Sequence, residues 1–166
     1  MDLFPDWHFV ADTVMGGASN GAVTRTEIDG RSAARLTGSV SLENNGGFIQ
    51  MAADLGDGGE VFDASGWTGL ELDVRGNGET YDLRLRTDQL TRPWQSFRAG
   101  FVALSGWRSL RFPFSAFDPN KTEAAFDPGR LRRIGVLAVG RAFEVDVSVA
   151  GLRLYGARSA AGVQPS

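Results

Sequence analysis

The residues best equipped for chemistry in this chain are few, and they do not assemble into a catalytic set. The single histidine, His8, sits between Trp7 and Phe9 in a run that reads as a strand. Any nucleophile–imidazole–acid triad would have to use it, and its setting reads instead as a strand residue near the surface. Cysteine is absent, which removes thiolate nucleophiles, disulfides and cysteine metal sites, and one histidine alone falls short of zinc ligation. Asp54, Asp57, Glu60 and Asp63 recur every three residues through a glycine-rich stretch. Carboxylates on irregular backbone suit calcium, but the order does not match an EF-hand loop. The expectation is a solvated acidic loop and no metal. Gly76 and Gly78 lack the third glycine of a dinucleotide loop, and no Gly-Lys-Ser/Thr phosphate motif occurs. No local pattern singles out a carboxylate pair for glycoside hydrolysis. The chain is expected to be no enzyme and to use no cofactor.

Two other segments are more specific. Asp12-Thr13-Val14-Met15-Gly16-Gly17-Ala18-Ser19 and Asn44-Asn45-Gly46-Gly47-Phe48 each put a Gly-Gly pair beside small amides and hydroxyls and one large apolar anchor, Met15 or Phe48. Paired glycines permit positive φ and close approach of another backbone. Asp, Asn, Ser and Thr bond nearby main-chain groups and hold such loops in one shape. The two segments are expected to lie side by side, with Asp12 or Ser19 bonded to the Asn44-Asn45 backbone. Asp12, Thr13, Met15, Gly16, Gly17, Ser19, Asn44, Asn45, Gly46, Gly47 and Phe48 are the candidate binding residues. Trp94 joins them, because Thr91-Arg92-Pro93-Trp94-Gln95 reads as a polar loop that exposes an indole.

These loops must be carried by strands. Residues 70–75, 81–86 and 143–149 alternate apolar and charged side chains, the period of half-buried strands. Further strands are expected at 7–10, 21–28, 33–42, 47–53, 95–104, 107–112 and 133–139, with short helical turns near 114–117 and 127–131. Phe143, Val145, Val147 and Val149 are odd-numbered whereas Leu152 and Leu154 are even, so a β-bulge is expected near Ala150-Gly151. Around Gly76-Asn77-Gly78-Glu79 a hairpin is expected. A Gly78-Glu79 turn would pair Arg75 with Asp82, Asp73 with Arg84 and Glu71 with Arg86, whereas an Asn77-Gly78 turn would oppose Asp73 and Asp82. The first is favoured by charge. The whole reads as an all-β, antiparallel two-sheet sandwich or jelly roll over residues 1–156, with a small, polar, disordered tail at 157–166.

At 166 residues the chain is long enough for a full core, and 42% apolar with 22% charged residues is ordinary globular composition. A net charge of −3 gives no electrostatic footprint for nucleic acid. No apolar run is long enough to span a bilayer. No secretory signal is read at the N-terminus, and the expected location is the cytoplasm.

The order of motifs resembles a known family. Trp7 followed by Asp12-Thr13-Val14-Met15-Gly16-Gly17-Ala18-Ser19 is similar to the opening signature of the mitochondrial complex I intermediate-associated protein family. Gly38-Ser39-Val40-Ser41-Leu42-Glu43-Asn44-Asn45-Gly46-Gly47-Phe48 resembles its second signature. Arg75-Gly76-Asn77-Gly78 then Tyr81 is similar to its next block, with Asn77 where the family has aspartate. Trp107, Phe112-Pro113-Phe114, Phe117 and Ile134-Gly135 resemble the later ones. The resemblance implies a galactose-binding-like sandwich and a non-enzymatic chaperone role, with respiratory complex I subunits or intermediates as partners. No mitochondrial presequence is read at the N-terminus, and the chain is expected to be a bacterial relative.

Three readings stand side by side at this stage. The first is a protein-binding assembly factor working through the two signatures. The second is a glycan-binding module using exposed aromatics on a sheet face. In the third, Asp12, Ser19, Asn44 and Asn45 only satisfy buried backbone groups.

Overall fold

Alternation of apolar and polar residues gives strands that are dry on one face and wet on the other, and two such layers close over each other. The computed structural model describes residues 1–12, 17–43 and 47–156. Among them the strands are β1 (Asp2–Leu3), β2 (His8–Ala11), β3 (Asn20–Ile28), β4 (Arg31–Val40), β5 (Phe48–Asp54), β6 (Gly69–Gly76), β7 (Thr80–Thr87), β8 (Ser96–Val102), β9 (Arg108–Pro113), β10 (Asp118–Asn120), β11 (Leu131–Val139) and β12 (Phe143–Tyr155). One sheet, A, runs β3-β4-β12-β6-β9, with β1 pairing on β12. The other, B, runs β10-β8-β7-β11-β5-β2. The pairings of these strands are antiparallel. The antiparallel two-sheet fold read from the periodicity is what the chain adopts. Short 3-10 turns stand at Asp57–Gly59, Phe114–Ala116 and Pro128–Arg130.

The core is the space between the sheets. Leu36, Leu72 and Val147 enter it from sheet A, and Ile49, Met51, Leu83, Leu85, Phe97, Ile134 and Val136 from sheet B, all without solvent exposure. Each such side chain contributes roughly 1.5–3 kcal/mol by leaving water.

The central strand of sheet A carries the expected bulge. β12 keeps register with β4 from Phe143 to Val149, while its register on β6 shifts between Val149 and Gly151. The shift moves the chain by one residue, so odd-numbered Val145, Val147 and Val149 and even-numbered Leu152 and Leu154 all face the core. Glycine is needed at the shift: a Cβ on Gly151 would lie 2.8 Å from the Asp73 Oδ2 atom. Beyond the bulge β12 exchanges β4 for β1, at Leu152 and Arg153.

The expected hairpin at 76–79 does not form. β6 lies between β12 and β9 in sheet A, and β7 lies between β8 and β11 in sheet B. The segment crosses from one sheet to the other, so neither proposed register exists. The charges pair elsewhere: Arg75 with Asp29, Asp73 with Arg31 and Arg153, Glu71 with Arg111 and Arg153, and Asp82 with Arg84 and Arg98. The crossover is fixed by main-chain bonds from Gly76 N–H to the Leu104 carbonyl (2.8 Å) and from Gly78 N–H to the Ala103 carbonyl (2.7 Å). Tyr81 completes it. Its hydroxyl donates to Asn77 Oδ1 at 2.6 Å and accepts from the Asp146 N–H of β12 at 3.1 Å, bridging the sheets.

β1 and β10 were not expected. Each is only two or three residues long, too short to show a period. The tail expected at 157–166 lies outside the described residues.

Candidate functional site

The two glycine signatures meet at one corner of the sandwich. Asp12 directly follows β2 and Phe48 opens β5, neighbours in sheet B. Ser19 precedes β3 and Ser41 follows β4, neighbours in sheet A. At this corner the Asp12 side chain is fully buried. One carboxylate oxygen accepts from the Ser19 N–H at 3.0 Å. The other accepts from the Ser19 hydroxyl at 2.6 Å and from the N–H groups of Gly47 (2.5 Å) and Phe48 (3.2 Å). The Ser19 hydroxyl in turn accepts from the Ser41 N–H at 2.8 Å. A buried charge without a cation is tolerable only when bonds of this kind replace its hydration. Burial alone would raise the Asp12 pKa. The Ser19 hydroxyl and the N–H groups of Gly47, Phe48 and Ser19 outweigh burial and hold the carboxyl below its ordinary value.

Glycine is required around this carboxylate. The Gly17 N–H donates to the Asp12 carbonyl at 2.9 Å, and a Cβ on Gly17 would sit 2.4 Å from Asp12 Cγ. Gly47 has φ 146°, and its carbonyl accepts from Gly140 N–H at 3.1 Å, tying the second signature to the turn after β11.

Of the residues singled out from sequence, Asp12, Gly17, Ser19, Gly47 and Phe48 come together here. The side-by-side placement is as expected. The bonds that make it run to Gly47, Phe48 and Ser41, and the Asn44-Asn45 backbone expected to receive them lies outside the described residues. So do Thr13, Met15, Gly16 and Gly46. Ser41 was missed; its place after an alternating run is the signal that could have found it.

Trp94 is not part of this corner. Pairing of Phe48 with Val139 and of Asp54 with Arg133 defines the two ends of sheet B. The signatures occupy the Phe48 end. Trp94 precedes Ser96 of β8, which lies with Thr87 and Asp54 at the other end. Its loop is built, not slack: Arg86 donates to the carbonyls of Arg92, Pro93 and Gln95, and Gln95 Oε1 accepts from the N–H groups of Thr91 and Arg92. The indole is 56% exposed, with the Arg92 guanidinium over its ring.

The remaining chemical candidates are dispersed. His8 is exposed and lies 3.5 Å from Asp6. Asp54 pairs with Arg133, and Asp63 accepts from the N–H and hydroxyl of Ser65. Among the described residues no group of three or more His, Cys, Asp or Glu side chains could hold a metal ion. No described helix is long and apolar enough to cross a membrane.

The family model for complex I intermediate-associated protein 30 matches residues 1–147, a span that contains both signatures, the crossover block and the strands that carry them. The chain belongs to the CIA30 family. In this CIA30 chain the first two signatures are thus the two sides of one hydrogen-bonded corner. Solved structures similar to it include carbohydrate-binding modules. The family 11 carbohydrate-binding module of cellulosomal cellulase Lic26A-Cel5E of Clostridium thermocellum shares 13% identity with a TM-score of 0.75, covering 95% of each chain. A family 11 module from Clostridium thermocellum in complex with a β-1,3-1,4-mixed-linked tetrasaccharide shares 14% identity with a TM-score of 0.72, covering 92% of this chain and 89% of that one. A family 30 carbohydrate-binding module shares 15% identity with a TM-score of 0.66, covering 99% and 92%. At such identities the likeness is one of fold: the CIA30 chain is a jelly-roll, galactose-binding-like sandwich. No curated protein sequence matches it.

Proposed function

We propose that this protein is a non-enzymatic assembly factor that binds a protein partner during the building of respiratory complex I, through the surface around the two glycine signatures. The observation that carries the reading is the Asp12 corner, where one buried carboxylate binds both signatures of a CIA30 family member into a single shape. Family membership supports the process. The glycines support the surface, because backbone free of side chains lets a partner's main chain come close. A tagged protein should capture respiratory subunits from native membranes. Loss of the protein with complex I assembly unchanged would overturn the reading.

A second reading, glycan binding, has one observation in its favour. Trp94 stands exposed on a rigid loop, as a stacking platform for a sugar ring would. Calorimetric titration with β-glucan oligosaccharides decides it, and heat of binding lost on Trp94→Ala would favour it.

A further inference from the structure

The outer face of sheet A holds a pit of about 150 Å³ remote from the signatures' chemistry. Its floor is Ser148 on β12. Ser148 is in register with Arg35 of β4 on one side and Arg75 of β6 on the other. With strands about 4.8 Å apart, the two arginines rise roughly 10 Å apart across the serine. Asp146, Ile28 and Gly76 complete the lining. Ser148 is 2% exposed, and its hydroxyl has no hydrogen-bond partner among the described residues. A buried hydroxyl left unpaired inside a sheet face is unusual. It is aimed into the pit.

Both guanidiniums already bind carboxylates of the protein itself. Arg35 makes a two-pronged bond to Asp146, at 2.9 and 2.6 Å. Arg75 pairs with Asp29, and the two pairs differ in character. Asp29 sits at the tip of the β3–β4 hairpin with φ 48°, and its side chain is 70% exposed. Arg75 itself is only 25% exposed and lies over the Trp107 ring, whose Nε1–H is held by the Ile28 carbonyl at 3.1 Å. The guanidinium is therefore held and partly desolvated, while its carboxylate lies largely in solvent and is replaceable.

We infer that this pit is a carboxylate-binding site, in which an incoming carboxylate displaces Asp29 from Arg75 and takes the Ser148 hydroxyl as its second donor. The carboxylate can belong to a free dicarboxylic acid or to an acidic side chain of a partner. Its recognition does not depend on the assembly reading.

Amide-resolved NMR titration of the full chain tests this, with succinate, a glutamate-rich peptide, inorganic phosphate and glucose as probes. Succinate or the peptide should shift the amides of Arg35, Arg75 and Ser148. Response to both assigns a free acid, and response to the peptide alone assigns a partner side chain. Asp29→Asn removes the internal competitor and should tighten binding about three-fold. Arg75→Gln should weaken it about ten-fold or more. Ser148→Ala should weaken it about three-fold without lowering the melting temperature, since the lost hydroxyl bonds nothing else. No response to either carboxylate, an equal response to phosphate or glucose, or unchanged affinity in Asp29→Asn would overturn the inference. Asp29→Asn keeps the test decisive even if Arg75→Gln proves unstable, because Asp29 is an exposed hairpin residue. The experiment needs no respiratory membrane, so its failure is distinct from failure of the assembly reading.

Discussion

The hydroxyl of Ser19 stands 2.6 Å from the carboxylate of Asp12, and both residues are buried. The pair joins the strand that enters sheet B to the one that enters sheet A. It makes the corner of the sandwich a fixed object instead of two separate loops.

Asp12→Asn should lower folding stability by about 2–3 kcal/mol, the loss expected when bonds to a buried charge are replaced by an amide with one acceptor oxygen. The amide must also turn its NH2 toward donors, either the Ser19 N–H or the N–H groups of Gly47 and Phe48. A shift in the urea midpoint with unchanged slope checks this. An unchanged midpoint would show that the corner does not depend on the charge.

Stability should fall in acid, and the sign follows from three buried carboxylates. Burial opposes ionisation of each. Ser19 and backbone N–H groups for Asp12, Ser109, Arg31 and Arg153 for Asp73, and Arg98 and Arg84 for Asp82 outweigh it and hold each pKa below its ordinary value. A lowered folded-state pKa contributes stability that is present above the unfolded value, about 3.9, and is lost as pH falls through the folded value. Urea midpoints should hold from pH 7 to about 5 and drop below about 4. Asp12→Asn should show a shallower drop than wild type.

Tyr81→Phe should cost about 1–2 kcal/mol, because the hydroxyl bridges Asn77 of the crossover and the Asp146 N–H of the facing sheet. Burial first, then the charges of Asp146 and Glu79, push the phenol up to about 12. Ultraviolet titration of the folded protein should leave Tyr81 un-ionised at pH 10. A phenolate signal at pH 10 that disappears in Tyr81→Phe would contradict the buried bridge.

Trp94→Ala should leave stability within about 0.5 kcal/mol, as an exposed loop-tip residue. Capture of respiratory subunits should persist, since the indole lies at the opposite end of sheet B from the signatures. Loss of that capture in a folded Trp94→Ala protein would move the interaction surface away from the Asp12 corner.

Much of this architecture was legible in the residue order. The alternating runs at 70–75, 81–86 and 143–149 lie within β6, β7 and β12, and the odd-to-even change of apolar phase marks the bulge at Gly151. Alternation reports which face of a strand is dry, but not which sheet the strand joins. Three residues, Asn77 to Glu79, can close a hairpin or cross between layers. Opposed charges on β6 and β7 therefore suited a pairing that does not occur. At the corner, the polar and glycine composition foretold two touching segments. The particular N–H groups that meet Asp12 depend on how β2 and β5 align, and local residue types do not encode that alignment. Asp82 shows the same limit. Its position on the wet phase of β7 reads as exposed, yet Arg84 and Arg98 cover it to 4%.

The position of β12 bears on how the chain reaches this state. Sheet A has β12 at its centre, paired with β4, β6 and β1, and every one of those partners is made earlier by the ribosome. Until residues 143–155 emerge, the β3–β4 hairpin and the β6–β9 pair have no common neighbour, and their apolar inner faces stay uncovered. Sheet A thus closes last and by contacts far apart in sequence, such as Val147 with Leu36, which is the slow kind of closure. The nascent protein spends most of its synthesis with two open strand edges, a state prone to wrong pairing and suited to a cell's own holdase chaperones.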